Sequence, residues 1–195
     1  MIRFFKIALL IASVAIFPFT EVGIANPPEA GEVFRQLKLP FPEKKEHRQY
    51  LGVKKGESFL IRDIEADVVI VEVLSMYCPF CQVEAPKVNE LFSMIQSDGN
   101  LNGKVKIIGI AAGNSRYEAE VFTQKYAVQF PVFPDADFTI HKMLGEVRTP
   151  YFIGIKNEGK KSRVFYSKLG AFGDTGDFLK QLISMSEIEN QGVSK

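Results

Sequence analysis

Cys78 and Cys81, separated by two residues, are the only cysteines in 195 residues, and their surroundings restrict the fold more than any other stretch. They follow an apolar, β-branched run, Val68–Leu74, and open a helical pattern that places Phe80, Val83, Val88, Leu91, Phe92 and Ile95 on one broad face. A C-x-x-C at a strand-to-helix junction reads as a thiol–disulfide site. The run is apolar at almost every position, which suits a central strand covered on both faces, so the expected class is an α/β layer arrangement. A structural disulfide is the competing reading of the pair. Closing so small a loop removes little entropy from the unfolded chain, because the gain grows with loop length, and redox exchange is expected instead.

The rest of the chain alternates in the same way. Residues 26–58 are rich in proline, glycine and charge and form a lead-in, whose mixed run 43–48 is expected on a solvated surface. Residues 59–62 read as a short strand and 104–112 as a second buried one. Ser115 with Glu118 three residues on makes a capping box for a helix through about Ala127. Residues 130–133 are a short strand and 134–136 a turn. Asp137 is expected to cap a short helix carrying Phe138, Ile140, Met143 and Leu144, stopped by Gly145. Residues 151–155 and 162–168 read as strands joined at Asn157-Glu158-Gly159. Asp174 or Thr175 opens a last helix with Phe178, Leu179, Leu182 and Ile183 buried, and 189–195 form a polar tail. Alternating strands and helices predict βαβ units that end in an antiparallel hairpin and a helix.

The N-terminus differs from the remainder. Arg3 and Lys6 precede an apolar stretch of 13 residues, 7–19, and Gly23-Ile24-Ala25 offers small residues for cleavage, the layout of a secretory signal over residues 1–25. An uncleaved membrane anchor is the alternative, although 13 residues fall short of the roughly 20 needed to span a bilayer. Either reading places the domain in an extracytoplasmic space. Net charge is +1 with no basic stripe, so nucleic acid is not an expected partner.

Thiol–disulfide exchange needs an exposed thiolate and a second thiol to resolve the mixed disulfide. Cys78 at a helix N-terminus, where free N–H groups and the dipole favour negative charge, is the expected nucleophile. Cys81, one turn deeper, is the expected resolving thiol. No cofactor or metal is expected: Gln82 stands where C-x-x-C-H haem attachment needs histidine, and His141 reads as the polar side of a short helix rather than a ligand.

The order of elements and the placement of the C-x-x-C resemble the thioredoxin superfamily over residues 55–188. Residues 113–133 supply a helix and a strand before the proline loop, as in the extracytoplasmic TlpA/ResA-type branch. The resemblance implies a thioredoxin-like fold, a central mixed sheet flanked by helices with that insert. Pro86 matches the proline that kinks the active-site helix. Thr149-Pro150 matches the cis-proline loop that lies against the disulfide and pairs with substrate backbone. Glu72 matches the buried acid of cytoplasmic thioredoxins, placed to move protons to or from Cys81. Glu84 matches the acid of the ResA-like subgroup, with a surface helix acid as the other reading. Tyr77, Pro79 and Phe80, with Thr149 and Pro150, are the implied substrate contacts. Tyr77 stands where the family has tryptophan, and Pro79-Phe80 differs from the Gly-Pro of thioredoxin, which leaves the redox direction open. The resemblance implies exchange with protein thiols or disulfides, more as a reductant, with a membrane electron donor, in apocytochrome c maturation or a similar task. A peroxiredoxin-like peroxidase and a copper metallochaperone of the same fold are the alternatives.

Overall fold

A computed structural model describes residues 25–188. The expected signal or anchor and the polar tail lie outside the described residues, apart from Ala25. The first strand, β1 (Lys38–Pro40), precedes α1 (Lys45–Leu51) and pairs antiparallel with β2 (Ser58–Leu60) as a separate ribbon. Then come β3 (Val68–Leu74), α2 (Pro79–Ser97), β4 (Val105–Ala112), α3 (Arg116–Lys125), β5 (Val132–Asp135), α4 (Thr139–Met143), β6 (Tyr151–Glu158), β7 (Lys161–Leu169) and α5 (Thr175–Ser186). The main sheet has the order β5-β4-β3-β6-β7. β3, β4 and β5 run parallel, joined by helical crossovers, while β6 and β7 form the antiparallel hairpin.

β3 is central and buried at all seven positions, as its near-continuous apolar sequence demands. Successive strand residues point to opposite faces. Val69, Val71 and Val73 join Ile108, Ile110, Ile153 and Ile155 in one core, while Val68 and Ile70 pack with Val88, Leu91 and Ile95 of α2 and Phe178, Leu182 and Ile183 of α5 in another. The same alternation carries Glu72 to the α2 face, between Ile70 and Leu74. The one charged residue of the central strand therefore lies under α2.

Several boundaries differ from expectation, each for a local reason. Residues 61–63 form a 3-10 turn rather than extending the strand, because the Asp63 carboxylate accepts the Leu60 N–H at 2.8 Å. β5 sits two residues later than expected and contains Pro134, which an edge strand tolerates because one side of its backbone faces no partner strand. Asp135, expected in a turn, accepts the N–H groups of Ile140 and His141 at 2.9 and 2.8 Å, while Asp137 accepts that of Thr139. The N-terminus of α4 is thus served by two carboxylates. Phe138, expected within the helix with Asp137 as its cap, is itself the N-cap with φ of 60°, and it is exposed. β6 continues through Glu158, and the turn falls at Gly159, whose φ of 67° suits glycine. The run 43–48 is largely exposed, but Phe34, Leu37, Leu39, Leu51 and Val53 around it close the core face opposite α2.

Candidate active site

The site forms where β3 ends and α2 begins. Cys78 is the N-cap of α2, with Pro79 at N1, where a missing N–H costs nothing. Its sulfur accepts the Cys81 N–H at 3.4 Å, and its thiol donates to the Thr149 carbonyl at 3.3 Å. Burial by itself would raise the Cys78 pKa, but contacts with Thr149, the Cys81 thiol and the backbone N–H groups of Cys81 and Phe80 outweigh it and hold the thiol below its usual range. Cys81 is fully buried, and desolvation pushes its thiol far up. Both cysteines are free. One helical turn therefore separates an accessible, acidic thiol from a sealed, reluctant one.

Thr149-Pro150 is a cis peptide immediately before β6, and through Thr149 it forms the wall opposite Cys78. Glu72 is 2% exposed, and its Oε1 has no hydrogen-bond partner among the described residues. Desolvation first, then the charges of Glu84 and Cys78, raise its pKa to about 8. Glu84 is 1% exposed, so it is not a surface helix acid. Its Oε1 accepts the Phe172 N–H at 2.9 Å, and one turn further along α2 Lys87 Nζ donates to the Phe172 and Gly173 carbonyls at 3.1 Å each. The loop before α5 is thereby clamped to the active-site helix. α2 runs through Pro86, which is exposed to solvent.

At the rim, Tyr77, Phe80 and Val83 are 64%, 72% and 75% exposed. The Tyr77 hydroxyl donates to Glu118 Oε1, while Glu118 Oε2 accepts the N–H and hydroxyl of Ser115 in the predicted capping box. The helix of the insert thus reaches the residue before Cys78. That role for Glu118 was not read from the sequence, where its capping pattern was the only signal. The Phe172 contact had no signal either, since it lies 88 residues from Glu84. His141 lies apart, with Nε2 donating to the Val147 carbonyl at 2.7 Å. Among the described residues no group of three or more His, Cys, Asp or Glu side chains is arranged to hold a metal, and no helix is long and apolar enough to cross a membrane.

A family model described as the AhpC/TSA family matches residues 32–167. The chain belongs to the AhpC/TSA family. It is similar to the thiol-disulfide oxidoreductase ResA of Halalkalibacterium halodurans, with 26% identity over 110 residues, covering 56% of this chain and 60% of that protein. The chain thus spans less than two thirds of the length of the curated relatives it matches. Among solved structures it is similar to the thioredoxin domain of a thiol-disulfide oxidoreductase from Bacteroides vulgatus, at a TM-score of 0.57 and 14% identity over 81% of this chain and 98% of that one. A secreted Mycobacterium tuberculosis disulfide oxidoreductase gives 0.52 and 21% over 66% and 90%. At such identities these structures speak for the fold, which is thioredoxin-like with a five-stranded mixed sheet flanked by helices.

Proposed function

We propose that the protein is an extracytoplasmic thiol–disulfide oxidoreductase that exchanges its Cys78/Cys81 pair with protein substrates, more as a reductant than an oxidant. The observation that carries this reading is the asymmetry of the two thiols, Cys78 accessible and lowered, Cys81 buried and raised. Cys78 thiolate attacks one sulfur of a substrate disulfide, which breaks the S–S bond, forms a mixed disulfide and releases one substrate thiolate to be protonated. Cys81 then gives up its proton to Glu72 and attacks Cys78 sulfur. The second substrate thiolate leaves, and the Cys78–Cys81 disulfide remains. Two electrons have passed to the substrate, and an external dithiol, in this reading that of a membrane protein, must return them.

Glu72 suits the proton step because its pKa near 8 keeps it within reach of both protonation states at neutral pH. The substrate segment lies along Thr149 and Pro150, against Tyr77, Pro79 and Phe80. The export reading of residues 1–25, as cleaved signal or as anchor, supplies the compartment. Cys81→Ser of the full chain, expressed in its host, is expected to accumulate mixed disulfides through Cys78. An enzyme that captures no thiol protein but consumes hydrogen peroxide at Cys78 overturns the reading in favour of a peroxidase.

A further inference from the structure

The two peptide groups that flank Met76, on the short link from β3 to Cys78, are each held by a side chain from a different part of the fold. The Met76 N–H donates to Asn114 Oδ1 at 2.8 Å, and the Met76 carbonyl accepts from Gln82 Nε2 at 2.8 Å. Asn114 is fully buried at the junction of β4 and α3, while Gln82 is half-buried in the first turn of α2. The Asn114 Nδ2 has no partner among the described residues. A buried, unpaired amide N–H is costly, and an apolar residue at 114 would avoid it. Position 114 thus keeps its amide for the bond to Met76.

What the clamp bears on is the placement of the Cys78 sulfur. Directly before Met76, the Ser75 carbonyl accepts the Cys78 N–H at 3.0 Å. We propose that Gln82 and Asn114 are positioning residues of the exchange site, which lock the backbone on both sides of Met76 and so keep Cys78 capping α2 with its sulfur against the first-turn amides. The proposal rests on the thiol–disulfide reading and adds to it two residues that touch neither substrate nor sulfur. Without the clamp, residues 75–77 move, Cys78 spends less time on the Cys81 and Phe80 amides, and its thiolate loses the donors that stabilise it.

The test is the pH profile of Cys78 alkylation by iodoacetamide in the full-length protein, where buried Cys81 is protected. Gln82→Met keeps the side-chain length and removes the donor, and Asn114→Ala removes the acceptor. In each variant the midpoint is expected to move up and the rate near pH 6 to fall about three- to tenfold, the worth of one neutral hydrogen bond. In the double variant the fall is expected to be smaller than the product of the two, because both side chains hold the backbone of one residue. Variants that melt at lower temperature but keep the wild-type profile overturn the proposal. Should Asn114→Ala not fold, Gln82→Met decides it alone. A wild-type Cys78 that shows no reactivity below about pH 8 instead removes the thiol-exchange reading and this proposal with it.

Discussion

At the rim of the site Tyr77, Phe80 and Val83 expose apolar surface, whereas at its floor Cys81, Glu72 and Glu84 are sealed from water, although both groups hang on the same strand end and helix. The difference follows from the helical period. Residues 81, 84, 85 and 88 of α2 face the sheet, and 80 and 83 face away. Exposed aromatic and aliphatic groups give the rim an uncharged surface, while desolvation raises the pKa of the Glu72 carboxyl at the floor. In the proposed reaction the rim meets the substrate and the floor moves the proton, with Cys78 between them.

The largest expected effect is at the boundary of the two regions. Cys78→Ser is expected to reduce exchange with a disulfide peptide to background, and a residual rate would mean that buried Cys81 attacks directly. Next comes the floor. Glu72→Gln is expected to slow resolution of the mixed disulfide at pH 7 by about 100-fold, a usual worth of a positioned general base, read by stopped-flow. An unchanged pH–rate profile removes Glu72 from the mechanism.

The same carboxyl also links stability to pH. Its folded pKa of about 8 lies above the ordinary 4.5, so between these values the folded state holds a proton that the unfolded state has lost. Folding stability then falls as pH rises through that window, by at most about 1.4 kcal/mol per pH unit, and levels off outside it. Urea titrations of Glu72→Gln are expected to show a flatter slope there than wild type. A smaller loss is expected from Glu84→Ala, about 1–3 kcal/mol, because the buried Phe172 N–H is left without its acceptor. Hydrogen exchange at Phe172 would read it, and unchanged protection would detach the floor from the loop before α5.

The smallest effect belongs to the rim. Phe80→Ser is expected to raise KM for a protein substrate roughly fivefold, a loss of about 1 kcal/mol of contact, with kcat kept. A fall in kcat instead would mean that the rim takes part in the chemistry and would erase the contrast.

How much of this was legible varies with the range of the interaction. Val68–Leu74 was readable to the residue because a strand buried on both faces leaves an unbroken apolar run. The Ser115/Glu118 capping box and the Asp174 cap were readable because both ends of each contact lie within three residues. β5 was misplaced by two residues, since an edge strand with Pro134 carries turn-like chemistry inside an extended segment. Asp135 was missed as the main cap of α4, because its bonds jump five and six residues past a left-handed Phe138.

By itself the sequence determined the C-x-x-C, the strand beneath it and the helix that Cys78 opens, all properties of local period and spacing, while the place of Glu72 under that helix came only as what the family resemblance implied. Only the tertiary structure decided that Glu84 is buried against Phe172, that Glu118 reaches Tyr77, and that Asn114 and Gln82 both bond the Met76 backbone. Those contacts join residues 6 to 88 positions apart. They exist because β4, α3 and the loop before α5 converge on the end of β3, and a side chain's own neighbours in sequence do not encode that convergence.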